Sequence, residues 1–165
     1  MAEQLTCRYG LASLPSPCHR QSYILQDQNN NGDKGQLNLW NNELSASASR
    51  IIKKRLAALK ELLVIASGIY ASIAGGSESM LINYALKTSN DFIMQQSDKS
   101  ESEWQEFYLK ELHERKALDI LRGNTSIGPH RDDLFFYVSG KLLKAFGSQG
   151  QQRSAVLSLK LAQLE

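Results

Sequence analysis

The hydrophobic pattern is most regular between Trp40 and Ile73, where apolar residues recur at steps of three and four. This spacing predicts a helix of about 35 residues, which Gly75-Gly76 would end. At ~1.5 Å per residue the helix is roughly 50 Å long, more than a compact domain of this size normally encloses. We therefore expect it to project or to pack along a partner helix, as coiled-coil arms do; a long core helix is the alternative.

Shorter elements follow this helix. Residues 80–86 are apolar and bounded by polar runs, which predicts a strand, and residues 88–100 are typical of a polar linker. A second helix is expected from about Ser102, a candidate N-cap, to Arg122. Gly123-Asn124 would end it.

The C-terminal part predicts a hairpin and a final helix. Residues 134–138 and 141–146 are apolar and separated by Ser139-Gly140, a pattern typical of two strands joined by a tight turn. Residues 151–165 then read as a helix. Its apolar face is expected to contain Leu157, Leu161 and Leu164, widened by Val156 and Leu159. A face this broad indicates contact with more than one neighbour.

These elements predict an α+β chain in three parts. Residues 1–36 end in the polar, glycine-bearing run Gln26 to Gln36, which cannot bury enough apolar surface to offset ordering, so we expect an irregular segment. Residues 37–122 would form a helical lobe with a short strand near 80–86. Residues 123–165 would hold the hairpin and the last helix.

The composition places the chain in the globular range, with 165 residues, 42% hydrophobic and 22% charged. A net charge of +2 is too small to indicate nucleic acid by itself. Residues 91–119 hold eight acids against four bases, whereas residues 50–60 hold no acid and five bases: Arg50, Lys53, Lys54, Arg55 and Lys60. The two segments either face each other across a helical hairpin or form two separately solvated faces.

The cysteine content and the length of the apolar runs indicate where in the cell the protein would be found. Only Cys7 and Cys18 occur, which indicates no disulfide framework and favours a reducing cytoplasm. No uninterrupted apolar run approaches the roughly 20 residues that a membrane helix needs. We therefore expect a soluble, cytoplasmic protein.

The segment Ser148-Gln149-Gly150-Gln151 lies where the hairpin ends and the last helix begins. It predicts a capping box, in which Ser148 accepts from a first-turn N–H and Gln151 reaches back to the cap. It equally predicts an anion site, because a helix N-terminus offers unpaired N–H groups and Arg153 adds positive charge one turn in. The two interpretations are compatible, and spacing alone does not separate them.

Two longer sequence blocks resemble motifs of a known protein family. The run Phe-Gly-Ser-Gln-Gly-Gln-Gln-Arg-Ser at 146–154 resembles the ABC-type signature of the RecF family of DNA replication and repair proteins. The run Gly-Pro-His-Arg-Asp-Asp-Leu at 128–134 is similar to a second RecF block at the expected distance upstream. The helix from Leu39-Trp40 to Gly75-Gly76 is similar to the coiled-coil arm of the family. The resemblance covers about residues 37–165.

The resemblance implies an ATPase with an ABC/SMC-like head and a short coiled-coil lobe. On that basis residues 37–122 are the coiled-coil lobe and residues 123–165 are part of the head. It further implies binding to gapped or single-stranded DNA, roles in replication, recombinational repair and the SOS response, and cooperation with the recombination mediator proteins RecR and RecO.

The family's signature also implies a shared ATP site. In the family, the signature of one subunit closes on ATP held by the phosphate loop of another, so nucleotide controls an ATP-dependent homodimer. By this resemblance, the γ-phosphate contacts across the interface are Ser148, Gly150 and Gln151. The residues that would shape the contact are Gln149, Gln152 and Arg153.

The departures from the family pattern are as informative as the match. No Gly-x-x-x-x-Gly-Lys-[Ser/Thr] phosphate loop occurs in the chain, and no apolar strand ending in Asp-Asp or Asp-Glu follows the signature. The Mg²⁺ that the family implies would therefore have no ligands here. We expect the chain alone not to hydrolyse ATP, and to be a truncated or frame-disrupted product or one piece of a split protein.

The block at 128–133 carries less specific chemistry. A Pro and paired acids beside a strand favour a tight turn, with Arg131 bonded to a carboxylate. His130 is either a switch or a satisfied turn residue. We expect a structural or coupling role for this set: Gly128, His130, Arg131, Asp132 and Asp133.

The basic run Lys53-Lys54-Arg55 is a candidate DNA-backbone contact, and a solvated helix face is the alternative. The whole chain also has an alternative interpretation. It would then be a noncatalytic helical interaction module, or a truncated gene product without function, in which the capping box is only a cap.

Overall fold

The computed structural model describes residues 34–87, 93–94 and 98–165. Its elements in chain order are α1 (Lys34–Ile73), β1 (Met80–Ala85), α2 (Glu101–Glu114), α3 (Lys116–Arg122), β2 (Asp133–Val138), β3 (Lys141–Leu142), α4 (Leu143–Phe146) and α5 (Gln149–Ala162). The predicted α+β class with a small antiparallel sheet is confirmed. The predictions for residues 1–33, including both cysteines, and for most of the polar linker lie outside the described residues.

Helix α1 is 40 residues long and begins at Lys34, inside the segment that was expected to be irregular. That expectation is wrong for residues 34–36, because packing extends the helix: the Leu37 side chain is only 1% exposed. The predicted stop is confirmed, since Gly75 and Gly76 have φ values of 67° and 77°. The Gly76 N–H donates to the Ala71 carbonyl at 2.7 Å.

The first half of α1 packs against α2, and the two helices run antiparallel. Arg50 pairs with Glu101 at 3.3 Å, and Lys116 donates to Asn38 at 3.5 Å. Among the described residues the basic and acidic segments form one ion pair, the exposed Arg50–Glu101 pair, which adds little stability. The coiled-coil character of this arm remains a prediction.

Two hydrophobic clusters lie along α1. The first cluster joins α1 to α2 and the end of β1, and consists of Leu44, Ala48, Ile52, Leu56, Tyr84, Leu86, Ile93, Trp104, Tyr108, Leu112 and Ile127. The second cluster joins the last turns of α1 to the sheet and α5, and consists of Ala66, Tyr70, Met80, Val138, Leu143, Ala155 and Ala162. The long helix thus supports two separate packed regions.

The sheet has the order β1-β2-β3 and is antiparallel. The predicted Ser139-Gly140 turn is confirmed: φ is 47° and 76° at these residues, as a two-residue type I′ hairpin requires. The second strand is shorter than predicted, because Leu143 turns into the second cluster and begins a short helix. Since β1 and β2 share this sheet, the predicted parts 37–122 and 123–165 are joined by it; the division into domains remains a prediction.

The second predicted helix is divided in two at Arg115, and its N-cap is Ser100 instead of Ser102. The cap lies two residues earlier because Glu103 stands at the position that completes a capping box with Ser100. The predicted stop is confirmed by Gly123, whose φ of 63° is left-handed.

Length and composition alone would let α1 cross a membrane. Within the part of the chain that the structure describes, Leu37–Ile73 contains an 18-residue window with a mean hydropathy of 1.6, of which 17% is buried. Our sequence expectation missed this property because charged residues such as Lys60 and Glu61 interrupt the apolar run. The core helix of a soluble protein passes the same test, so the property does not by itself place the chain in a membrane.

Candidate functional site

The start of α5 carries a closed capping box, as predicted. Ser148 is the N-cap, with extended backbone (φ −64°, ψ 160°). Its Oγ accepts from the Gln151 N–H at 3.2 Å, and the Ser148 N–H donates to Gln151 Oε1 at 2.9 Å. The box therefore forms entirely from the local sequence.

The same helix start is open to solvent. From Ser148 to Arg153 the exposed residues are Ser148, Gln149, Gly150, Gln152 and Arg153, whereas Gln151 is half-buried. First-turn N–H groups of a helix have no intrahelical acceptor, and this first turn contains no acidic residue. The positive end of the helix dipole is therefore accessible to an anion.

Gln151 has a second partner that the sequence did not reveal. Its Nε2 donates to Glu78 Oε1 at 2.7 Å, and the Tyr70 hydroxyl donates to Glu78 Oε2 at 2.7 Å. The hydrogen bond from Tyr70 and then that from Gln151 lower the pKa of Glu78. Burial, and next the bond to Glu78, raise the pKa of Tyr70 to about 12. A γ-phosphate contact by the Gln151 side chain remains a prediction, and it would require Nε2 to leave Glu78.

The two glycines of the signature differ in how much space surrounds them. A Cβ at Gly147 would lie 2.5 Å from Leu143 Cδ1 and 2.6 Å from the Leu143 carbonyl oxygen, so close packing requires glycine there. A Cβ at Gly150 would meet only Ser148 Oγ, at 3.7 Å. Glycine can let a ligand approach the backbone closely, and the geometry leaves room for this at Gly150 only.

Most of the predicted apolar face of α5 does not pack on the chain: of its five residues, only Leu159 packs against the second cluster. The buried residues are Ala155, Ser158 and Ala162, whereas the exposed ones are Val156, Leu157, Leu161 and Leu164. Small side chains face inward because α5 lies close against α1. The exposed face borders an open groove of about 600 Å³, lined by Gln149, Gln152, Arg153, Val156, Leu157 and Lys160.

The segment 128–133 forms a turn before β2. Gly128 has a φ of 136°, and a Cβ there would lie 2.9 Å from the His130 ring, so the turn requires glycine. The Arg131 N–H closes the turn on the Gly128 carbonyl at 2.8 Å, and the Arg131 guanidinium donates to the Thr125 carbonyl at 3.2 Å. The expectation that Arg131 bonds to a carboxylate is therefore wrong, because the Arg131 side chain lies toward the Thr125 carbonyl.

The two acids of this segment differ in environment. Asp132 accepts from the Tyr84 hydroxyl at 2.8 Å and from the Lys87 N–H at 3.2 Å. Burial raises the pKa of Asp132, although these hydrogen bonds oppose the shift. Asp133 is exposed and caps the start of β2 by accepting from the Leu134 N–H at 2.8 Å. Asp132 thus joins the turn to the end of β1.

The basic run does not form one face. Lys53 and Lys54 are exposed, as a DNA contact or a solvated face requires. Arg55 is half-buried, and its guanidinium donates to the Tyr84 hydroxyl at 3.1 Å and to the Pro129 carbonyl. The partners of Arg55 lie far along the chain, so the sequence alone grouped Arg55 with the two lysines. In the structure, Arg55 belongs to the hydrogen-bond network around Asp132.

Metal ligation has no candidate within residues 34–87, 93–94 and 98–165. No group of three or more His, Cys, Asp or Glu side chains lies there in an arrangement that could hold an ion. The chain also matches no family model.

Solved structures superpose on most of this chain. The recombination mediator protein RecF-ATPrS in the RecFOR pathway superposes with a TM-score of 0.80 and 26% identity, covering 90% of this chain and 38% of that chain. A structure of RecF-ATP in the same pathway gives a TM-score of 0.78 with the same coverage. The chain therefore shares the fold of part of these RecF structures.

Curated relatives agree with the structural match. The DNA replication and repair protein RecF of Rippkaea orientalis is 37% identical over 130 residues, which is 79% of this chain and 33% of the relative. The RecF of Acaryochloris marina is 38% identical over 133 residues, 81% of this chain and 34% of the relative. The chain belongs to the RecF family and spans about a third of the length of these relatives.

Proposed function

We propose that the chain contributes the signature half of an ATP site to a second polypeptide that carries a phosphate loop. The observation that carries this proposal is the start of α5, where Ser148 and Gly150 are exposed and the first turn contains no acid. A phosphate group there would meet N–H donors, the Ser148 hydroxyl and the nearby charge of Arg153.

The wider role follows from the family. We infer action in DNA replication, recombinational repair and the SOS response, in the cytoplasm, with gapped or single-stranded DNA as the substrate. The exposed Lys53 and Lys54 are the proposed backbone contacts. Association would take the form of an ATP-dependent RecF-type dimer, with RecR and RecO as further partners and Mg²⁺ held by the other half of the site.

The turn at 128–133 has a coupling role in this proposal. It links α1 through Arg55 and the end of β1 through Asp132, so it holds the sheet against the long helix. Movement of the arm would be transmitted through these bonds. No contact between this turn and nucleotide is part of the proposal.

The test is ATP-dependent association with a full-length relative, the RecF of Rippkaea orientalis. The labelled 165-residue chain is mixed with that protein in ATP, in ADP and without nucleotide, and complex formation is followed by fluorescence anisotropy. We expect a complex in ATP that is weaker by at least about tenfold in ADP, because only ATP offers a γ-phosphate to the signature. Equal binding in all three conditions contradicts the proposal.

Two serine variants make the test specific. Ser148→Arg places a bulky side chain at the start of α5 and should abolish the ATP-dependent complex. Ser100→Arg removes the same kind of cap from α2, at a similar cost in stability of about 1 kcal/mol, and should leave the complex intact. Equal loss in both variants would mean that the effect is one of folding.

The alternative, a noncatalytic interaction module or a product without function, is not favoured. Similarity to RecF relatives extends over 76% to 95% of the chain. A simple helical interaction module gives no reason for a solvent-open helix start whose first turn contains no acid.

A further inference from the structure

We propose that Glu78 is a positioning residue for the nucleotide contact: its carboxylate fixes the orientation of the Gln151 side chain and so keeps the Ser148 hydroxyl available as an outward donor. Glu78 would not touch the nucleotide; it acts through Gln151. This inference rests on the proposed function. It assigns a role to a residue that lies outside both family blocks.

The orientation of Gln151 is the first step. The two ends of a glutamine amide are nearly equal in shape, and one donates while the other accepts. An ionised carboxylate only accepts, so Glu78 requires the Nε2 end, which lies 2.7 Å away. The Oε1 end is then left facing the Ser148 N–H, where it accepts at 2.9 Å.

The hydroxyl of Ser148 is the second step. Its Oγ accepts from the Gln151 N–H at 3.2 Å, and a serine hydroxyl that accepts one bond still has its own hydrogen to donate. Because Ser148 is exposed, that hydrogen is available to a phosphate oxygen. A flipped Gln151 amide would lose the bond to the Ser148 N–H and loosen the cap that holds the hydroxyl.

Tyr70 anchors this arrangement. Its ring is only 1% exposed in the second cluster, and its hydroxyl donates to Glu78 Oε2 at 2.7 Å. Both carboxylate oxygens of Glu78 are therefore held, one from the last turn of α1 and one from the first turn of α5. A hydrogen-bonded chain connects the end of the long helix to the proposed nucleotide contact.

Charge and position predict opposite effects, which makes the inference testable. Glu78 carries a negative charge close to the proposed phosphate, so its removal would strengthen ATP-dependent association if only electrostatics mattered. If Glu78 acts by positioning, its removal weakens that association despite the lost repulsion. A residue with a merely structural role would change thermal stability alone.

The experiment measures the ATP concentration that gives half-maximal association of the full chain with the Rippkaea orientalis RecF. We expect Glu78→Leu to raise it by about threefold to tenfold, the loss that a missing hydrogen bond of ordinary strength causes. Glu78→Gln keeps one acceptor and should cause a smaller increase. Tyr70→Phe, which is nearly isosteric, should also raise it. Ser79→Ala, an exposed change in the same loop, is the unchanged control.

A double-mutant cycle shows whether Glu78 acts through Gln151. In a Gln151→Ala background, Glu78→Leu should no longer raise half-maximal ATP, because there is no amide left to position and only the loss of repulsion remains. Hydrogen exchange of the Ser148 amide should accelerate in Glu78→Leu with the second cluster intact, as reported by an unchanged thermal midpoint. If Glu78→Leu does not fold, Tyr70→Phe carries the test.

The outcomes separate this inference from the proposed function. A wild-type chain without ATP dependence overturns the proposed function and the inference with it. A wild-type chain with ATP dependence, combined with unchanged or lowered half-maximal ATP in Glu78→Leu and Tyr70→Phe, overturns the inference alone. Full additivity with Gln151→Ala also overturns it.

Discussion

Two helices of this chain begin with the same motif and differ in what they leave open. At the start of α2, the Glu103 N–H donates to Ser100 Oγ at 3.2 Å, and the Ser100 N–H donates to Glu103 Oε2 at 2.7 Å. At the start of α5, Ser148 and Gln151 form the equivalent pair at 3.2 Å and 2.9 Å. The geometry of a capping box is therefore no guide to function.

Charge distinguishes the two helix starts. The first turn of α2 contains Glu101 and Glu103, and the backbone bond from Ser100 lowers the pKa of Glu103, so a carboxylate faces the helix dipole. The first turn of α5 is capped by a neutral amide and has no acid. The α2 start is neutralised by acids within its own first turn. At α5 the Glu78 carboxylate comes from another part of the chain and accepts from Gln151 Nε2 and the Tyr70 hydroxyl, so the first-turn N–H groups stay open to an outside anion.

The largest expected effect comes from giving α5 the charge of α2. Gln151→Glu should weaken ATP-dependent association by at least about tenfold, because a carboxylate would repel the phosphate. The converse change, Glu103→Gln at α2, should leave association unaltered. Anisotropy titrations with ATP measure both.

The carboxylate that Gln151→Glu introduces would also face Glu78, so a double variant controls for their repulsion. The double variant Glu78→Gln, Gln151→Glu again places one amide opposite one carboxylate, as in the wild type. Its thermal midpoint should therefore return to the wild-type value. Association should stay weak, because the charge at the helix start remains. Recovered association would mean that the charge difference between the two helix starts has no functional meaning.

The glycines beside the α5 cap should respond in opposite directions. Gly147→Ala forces a Cβ against Leu143 and should lower the free energy of unfolding by about 1–3 kcal/mol. Gly150→Ala places its Cβ in ordinary contact with Ser148 Oγ and should leave the free energy of unfolding unchanged or raise it by up to about 1 kcal/mol, since alanine is the better helix former. Chemical denaturation compares the two. A similar loss in both variants would contradict the packing reason given for Gly147.

Removal of either cap should cost about the same. Ser100→Ala and Ser148→Ala should each lower the free energy of unfolding by about 1 kcal/mol, because each leaves a first-turn N–H without its acceptor. Only Ser148→Ala should also weaken ATP-dependent association. Equal effects on association would remove the functional distinction between the helices.

The smallest expected effect is on the pH dependence of amide exchange at the two helix starts, which a different carboxylate should control at each. The pKa values of Glu103 and Glu78 are both lowered from 4.5, so the stability that each contributes is present above that value and is lost as the pH falls through the lowered folded values. Amide exchange at Ser100 should accelerate as the pH falls through the lowered pKa of Glu103. In Glu103→Gln this pH dependence should be absent. At Ser148 the dependence should instead disappear in Glu78→Gln.

Features formed by residues close in the chain were predictable. The box of Ser148 with Gln151, the turn at Ser139-Gly140 and the stop at Gly75-Gly76 each depend on backbone geometry within a few residues, which side-chain type restricts strongly. The N-cap of α2 was misplaced by two residues because two serines, Ser100 and Ser102, offered the same local signal.

Residue order alone could not assign partners that meet from distant parts of the chain. Glu78 lies 73 residues from Gln151, and Arg55 lies 74 residues from Pro129, so no spacing rule connects either pair. The inward face of α5 was mistaken for the same reason. Leucines mark an apolar stripe, but close contact with α1 selects the small residues Ala155, Ser158 and Ala162.

Helices, turns and caps therefore follow from the order of residues, because their energies depend on neighbours along the chain. The exposure of the α5 start, the carboxylate that holds Gln151 and the contacts of Arg55 depend instead on how α1 packs against the sheet and α5. Those contacts form only when segments far apart in sequence are brought together, since hydrogen bonds act over a few ångströms.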